Sequence, residues 1–184
     1  MVNSAAMKKT FLALLLAAAP VLASPDTKPA PTLKSILLEQ FKTTHDNQDW
    51  FVSANNAVKG LTAEQAAWKD GKGNHSIAQL VSHLIFWDQQ ALAQLQGKPV
   101  PKFNGQNDET FDIVVNKETW EQMVKDLDRV LGEWEKAIES ADDATIQKWA
   151  NTIAHVSTHN AYHTGQIIYV RKLQGSWNPE NGVK

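Results

Sequence analysis

Residues 151–173 read NTIAHVSTHNAYHTGQIIYVRKL. Ile153, Val156, Asn160, His163, Ile167 and Val170 recur every three or four positions, the period of one face of an α-helix. A helix is predicted from about Asn151 to Leu173, with Gly175 and then Pro179 as stop signals. His155, His159 and His163 are spaced i, i+4, i+8 along it. Neighbouring imidazoles at that spacing stand about 6 Å apart on one side of the helix. Two can converge on one ion. Three cannot on a straight helix, because eight residues span about 12 Å.

The same period runs through the rest of the chain. A helix capped by Ser76 and ending near Gln96 carries Ile77, Leu80, Leu84, Trp87, Ala91 and Leu95 on its stripe, with Gly97 and Pro99 beyond. Another, from about Lys117 to Glu139, carries Trp120, Val124, Leu127, Leu131, Trp134 and Ile138. Towards the amino terminus, Leu33, Leu37, Phe41, Thr44, Gln48, Phe51, Asn55 and Val58 read as one long helix from Thr32 to the break at Gly60. Residues 61–69 and 142–149 read as short helical turns. No segment alternates as a strand does. The fold expected is therefore all-α: a four-helix bundle with a long loop, residues 98–116, between its second and third helices. Trp50, Trp87, Trp120, Trp134 and Trp149 are expected in the core and at its rim, where large rings contribute buried area.

Within such a bundle the histidines carry the chemistry. There is no cysteine, so any metal must be held by His, carboxylate or carbonyl groups. Of the pairs on the last helix, His159 and His163 are favoured, because His163 lies on the inward stripe. His155 lies nearer the helix start. His83, between Leu80, Leu84 and Trp87, is the best third ligand from another helix. Three imidazoles make an open site suited to zinc, nickel, iron or manganese. The segment HNAYH lacks the Glu of HExxH, so a zincin-type general base is missing. His45, Gln48 and Asn55 could line a pocket or be satisfied polar packers. His75 reads as an edge residue. Trp87, one turn after His83, could form an aromatic wall, and Tyr162 and Gln166 could orient a ligand or meet a substrate.

The run HSIAQLVSHLIFWDQQ (75–90), followed by HNAYHTGQIIYVRKLQG (159–175), resembles the DinB-like superfamily of four-helix metal-binding proteins. The resemblance extends from about residue 32 to 178. Its most specific part is the HxxxHxGQ signature, His159 to Gln166. It implies a divalent metal held by the residues matching His83, His159 and His163, and a homodimer. It also implies activity in some members as thiol-dependent transferases or isomerases, while many members have no assigned activity.

The first residues read as an address. Lys8 and Lys9 precede an apolar run from Phe11 to Leu22, and Val21-Leu22-Ala23 fits a cleavage site. Residues 1–23 are read as a signal peptide and residues 24–31, with three prolines, as a flexible leader. The apolar run is short of the roughly 20 residues that span a bilayer, so no stable membrane insertion is expected after cleavage. The expected location is periplasmic or secreted. Cleavage removes two lysines and no acids from a chain whose formal charge is −2, which argues against nucleic-acid binding. The readings in competition are a metal-dependent transferase or hydrolase of a small molecule, a non-catalytic metal-binding or stress-related module, and a scaffold with a polar core layer. A bis-His haem bundle is a weaker fourth.

Overall fold

Thr32 opens the first helix. Its Oγ1 accepts the Ser35 N–H at 3.1 Å, and the Ser35 hydroxyl accepts the Thr32 N–H at 2.9 Å, so two otherwise orphaned donors are satisfied together. The computed structural model describes residues 29–100 and 102–182. The signal peptide, and residues 24–28 of the leader, lie outside them. The described residues form helices α1 (Leu33–His45), α2 (Ala54–Val58), α3 (Ala63–Ala67), α4 (Ile77–Leu95), α5 (Lys117–Ser140) and α6 (Asp143–Leu173). Short 3₁₀ helices lie at Asn107–Phe111 and Pro179–Asn181. No strand occurs among the described residues. The bundle expected from the helical stripes is present, with α1, α4, α5 and α6 as its long members. Each of α1 and α4 packs on both α5 and α6.

Two helix boundaries differ from the sequence reading. The first helix does not run from Thr32 to Val58. It ends at His45, where Asp46 and Asn47 turn their N–H groups back to the Lys42 carbonyl at 3.2 and 3.0 Å. The following DNQD segment (46–49) is rich in side chains that compete with the helical backbone for hydrogen bonds. The chain re-enters helix only after Ser53. Trp50, expected in the core, is consequently 92% exposed, and Val52 takes the buried position nearby. The last helix errs the other way. Residues 142–149 are not a separate turn but the start of α6, capped by Asp142, whose Oδ1 accepts the Thr145 N–H at 2.8 Å. No Gly or Pro intervenes before Asn151 to break it, and Ile146 joins Ile153 in the core.

The core is built from the predicted stripes. Phe41, Leu84, Leu127, Leu131, Trp134, Ile138, Ile153 and Ile167 are fully buried. Trp134 stacks on Phe41 at 5.3 Å, and its indole N–H donates to the Asp88 carbonyl at 3.1 Å. Trp120 is buried with its N–H on the Leu61 carbonyl at 2.9 Å, while Trp87 and Trp149 are half-buried at the rim. Trp177, not among the expected core residues, is buried beneath Arg171, whose guanidinium also reaches the Ala57 carbonyl at 2.7 Å. α4 and α6 end on Gly97 and Gly175 at φ of 64° and 75°, the left-handed conformation that closes a helix. Part of the 98–116 loop folds back on α4, with Thr110 and Phe111 buried against it.

Candidate metal centre

α4 carries His83 inward, and α6 carries His159 and His163 one turn apart to meet it. One ring nitrogen from each lies within 4.8 Å of those of the other two. The Nε2 atoms of His83 and His159 are 3.1 Å apart. Nitrogens 2.0–2.1 Å from a tetrahedral ion stand about 3.4 Å apart, so the cluster is close to the size such an ion needs.

The hydrogen bonds behind the rings determine which nitrogen faces inward. The Thr110 hydroxyl donates its single proton to the Asn107 carbonyl at 2.6 Å. It must therefore accept from His83 Nδ1, 2.6 Å away, which makes that nitrogen the N–H and leaves the Nε2 lone pair facing His159. His163 follows the same logic. Gln166 donates its amide N–H to the Tyr162 hydroxyl at 3.2 Å, which leaves its Oε1 to accept from His163 Nδ1 at 2.6 Å. Partners of this kind hold a ligating imidazole in one tautomer and one orientation.

The same surroundings keep the rings neutral. Phe111 lies between His75 and His83, with centroids at 3.8 and 4.1 Å and planes within 6° of parallel. His83 and His163 are buried and His159 is half-buried. Burial, then repulsion from His163 and His159, pushes His83 down to about 4. Burial and His163 push His159 to about 4 as well, and burial also lowers His163 despite its bond to Gln166. At neutral pH these are three uncharged donors, the form a divalent cation requires.

A cavity of about 540 Å³ opens onto the three rings, lined otherwise by Trp87, Ala91, Asn107, Phe111, His155 and Val156. Trp87 and His155 are therefore beside the cluster, His155 as an exposed residue one turn before His159. Tyr162 and Gln166 lie behind His163. The sequence reading that His45 and Gln48 could line this pocket is corrected by the structure. α1 packs on α5 and α6, and its break after His45 carries Gln48 to the surface, where its amide donates to the Asn181 carbonyl at 3.0 Å. Asn55 points to Asp128 at 2.6 Å.

His45 belongs to a different cluster. Its Nδ1 lies 2.6 Å from Glu135 Oε1 and its Nε2 2.9 Å from Asp128 Oδ1. With a carboxylate at each nitrogen, both must donate, so the ring is an imidazolium. Burial opposes that charge, but the two carboxylates prevail and its pKa lies above the ordinary value. His45, Asp46 and Glu135 also offer donor atoms within 4.8 Å of one another. An ion there would have to displace the proton that already satisfies the carboxylates. A further cavity of about 560 Å³, lined by Asn55, Trp120 and Asp128 among others, lies between α2 and α5 and lacks the imidazole set.

Sequence reasoning missed Thr110, Phe111 and Asn107. Each sits in the short 3₁₀ helix Asn107–Phe111, within a stretch that shows no helical periodicity in sequence. The one available signal was an apolar Phe following Thr in an otherwise polar NDET run.

None of the curated proteins and none of the solved structures matches this chain. A family model does, over residues 53–167, a span that includes His83, His159 and His163 and more than half the sequence. By that match the chain belongs to the DinB superfamily.

Proposed function

We propose that this is an exported metal-binding protein whose His83, His159 and His163 hold one divalent ion, zinc, nickel, iron or manganese, and which acts on a small molecule as a metal-dependent transferase or hydrolase. One observation carries the metal reading: the Nδ1–H groups of His83 and His163 are tied to neutral acceptors, which leaves each a free Nε2, and one ring nitrogen from each of the three histidines lies within 4.8 Å of the other two. A bound ion would supply Lewis acidity. The chain's own contribution is to hold three neutral donors, to shield one side of them with Phe111, and to offer His155 at the cavity wall as a proton acceptor. The amino-terminal address supports export, and the exposed Tyr162, Tyr169 and Leu173 on one helix support a homodimer.

A second reading, a non-catalytic metal-binding module, is favoured by the lack of any Asp, Glu or Lys among the described residues of the cavity wall. Elemental analysis of untagged protein beginning at Ser24 tests the metal site. About one equivalent of a single metal is expected, lost in the His83/His159/His163→Ala variant. Equal metal content in both would remove the assignment. Turnover of any small molecule by the metal-loaded protein would exclude the non-catalytic reading, and His159→Ala then tests the mechanism: activity should vanish while helicity stays. Activity retained in that variant would rule out the metal-dependent mechanism.

A further inference from the structure

We infer that the ligand of this centre is a small molecule with one metal-binding head and one uncharged, flat apolar arm, the arm lying along the groove between α4 and α6. This rests on the metal reading above and goes further, to the chemistry of the substrate.

Three observations carry it. The first is the wall. Beyond the imidazoles, the groove presents Trp87, Ala91 and Val156, and among its described residues there is no Lys, Arg, Asp or Glu. A second charge on the ligand would meet no permanently charged side chain among these residues and would lose water with little compensation. The cavity between α2 and α5 is lined by Lys59, Lys125, Glu121 and Asp128, so the lack of charge is particular to the groove at the histidines.

The second is rigidity. The Trp87 indole N–H donates to Asn107 Oδ1 at 3.2 Å. Its ring meets Phe86 at 5.1 Å and Phe103 at 6.1 Å, each edge-on at 88°. A half-buried tryptophan held on three sides is a preformed surface for a flat group.

The third is length. Trp87 and Ala91 lie one and two turns beyond His83, so the apolar floor extends about 12 Å from the metal ligands. An aromatic ring attached directly to the head group fits within that distance. Among the described residues of the groove, Asn107 and His155 supply the other polar reach.

The test uses zinc-loaded protein and three hydroxamates, read by calorimetry. Acetohydroxamate has the head alone. Benzohydroxamate adds the arm, and 4-carboxybenzohydroxamate adds a charge at its end. Benzohydroxamate is expected to bind at least about tenfold more tightly than acetohydroxamate, because a ring is buried. The carboxylated probe is expected to lose that gain. Trp87→Ala should shrink the gap at unchanged zinc content. Should Trp87→Ala fail to fold, Ala91→Lys serves: it should restore tight binding of the carboxylated probe and weaken the neutral one. Equal affinity for the first two probes, or a wild-type preference for the charged one, would overturn the inference while leaving the metal site standing. Protein that takes up no zinc would overturn both, and elemental analysis identifies that case.

Discussion

His45 and His83 are both buried histidines on long helices, and the fold gives them opposite charge states. His45 faces Glu135 and Asp128, so both ring nitrogens donate and the imidazolium is favoured. His83 faces a hydroxyl on one side and two imidazoles on the other, so it is held neutral with a lone pair turned inward. The residue type is the same and so is the degree of burial. What differs is the neighbour: a carboxylate retains the proton, and a neutral acceptor fixes the tautomer and leaves a ligand atom free. The first arrangement clamps α1 to α5. The second leaves α4 and α6 ready for a cation.

The largest expected effect is at the neutral side. Thr110→Val removes the acceptor for the His83 N–H without altering shape. Zinc affinity should fall by about 10–100-fold, as for other loss of an orienting partner, with helicity unchanged. Competition against a chelating dye reads it. Unchanged affinity would mean that the acceptor behind the ring does not distinguish the two sites.

Next comes the clamp. Glu135, with a side chain 20% exposed, is the better-buried partner of His45. Glu135→Gln should cost about 1–3 kcal/mol in urea denaturation, because a charge-assisted bond is lost. Asp128 is 62% exposed, so Asp128→Asn should cost only about 0–1 kcal/mol. Equal costs would show that burial does not rank the two carboxylates.

Acidity separates the sites by sign. In metal-free protein above pH 6.5, the cluster histidines are neutral whether folded or not and contribute nothing. As pH falls from 6.5 towards 4, the unfolded chain takes up protons that the folded His83 and His159 refuse, so stability declines. His45 behaves oppositely. Its contribution is complete below the ordinary value of 6.5 and is lost as pH rises through its raised folded value. Denaturation midpoints across mildly acid to mildly alkaline pH should show His83→Gln softening the acid-side decline and His45→Gln removing the alkaline one. Parallel profiles in the two variants would collapse the distinction.

The smallest effect expected is at Trp50, in the segment that follows His45. At 92% exposed, its replacement by Ala should change stability by no more than about 0.5 kcal/mol, against several for the buried Trp134. A large loss at Trp50 would show that the His45 region is held together by more than its ion pairs.

The legible parts of this protein are the periodic ones. Stripes such as Leu80, Leu84 and Ile153, Ile167 identify helices because one face of each must leave water. The i, i+4 spacing of His159 and His163 is likewise a local fact. The break after His45 was hidden because Thr44, Gln48, Phe51 and Asn55 continue the period on paper, while Asp46, Asn47 and Asp49 decide the backbone. The merger of residues 142–149 into α6 was hidden because a capped turn and a capped helix start look alike over eight residues.

By itself, then, the sequence determined an all-helical chain, two imidazoles on one helical face, and a third histidine on the inward side of another helix. Only the tertiary structure decided that His83 meets that pair, that Thr110 sets the His83 tautomer, and that His45 is a clamped cation. The reason is physical. Helical periodicity follows from neighbours three and four residues apart, as does the Gln166 partner of His163, whereas the charge and tautomer of His83 and His45 depend on partners that lie far away along the chain. For His83 and His45 those partners come from 27, 83 and 90 residues away along the chain.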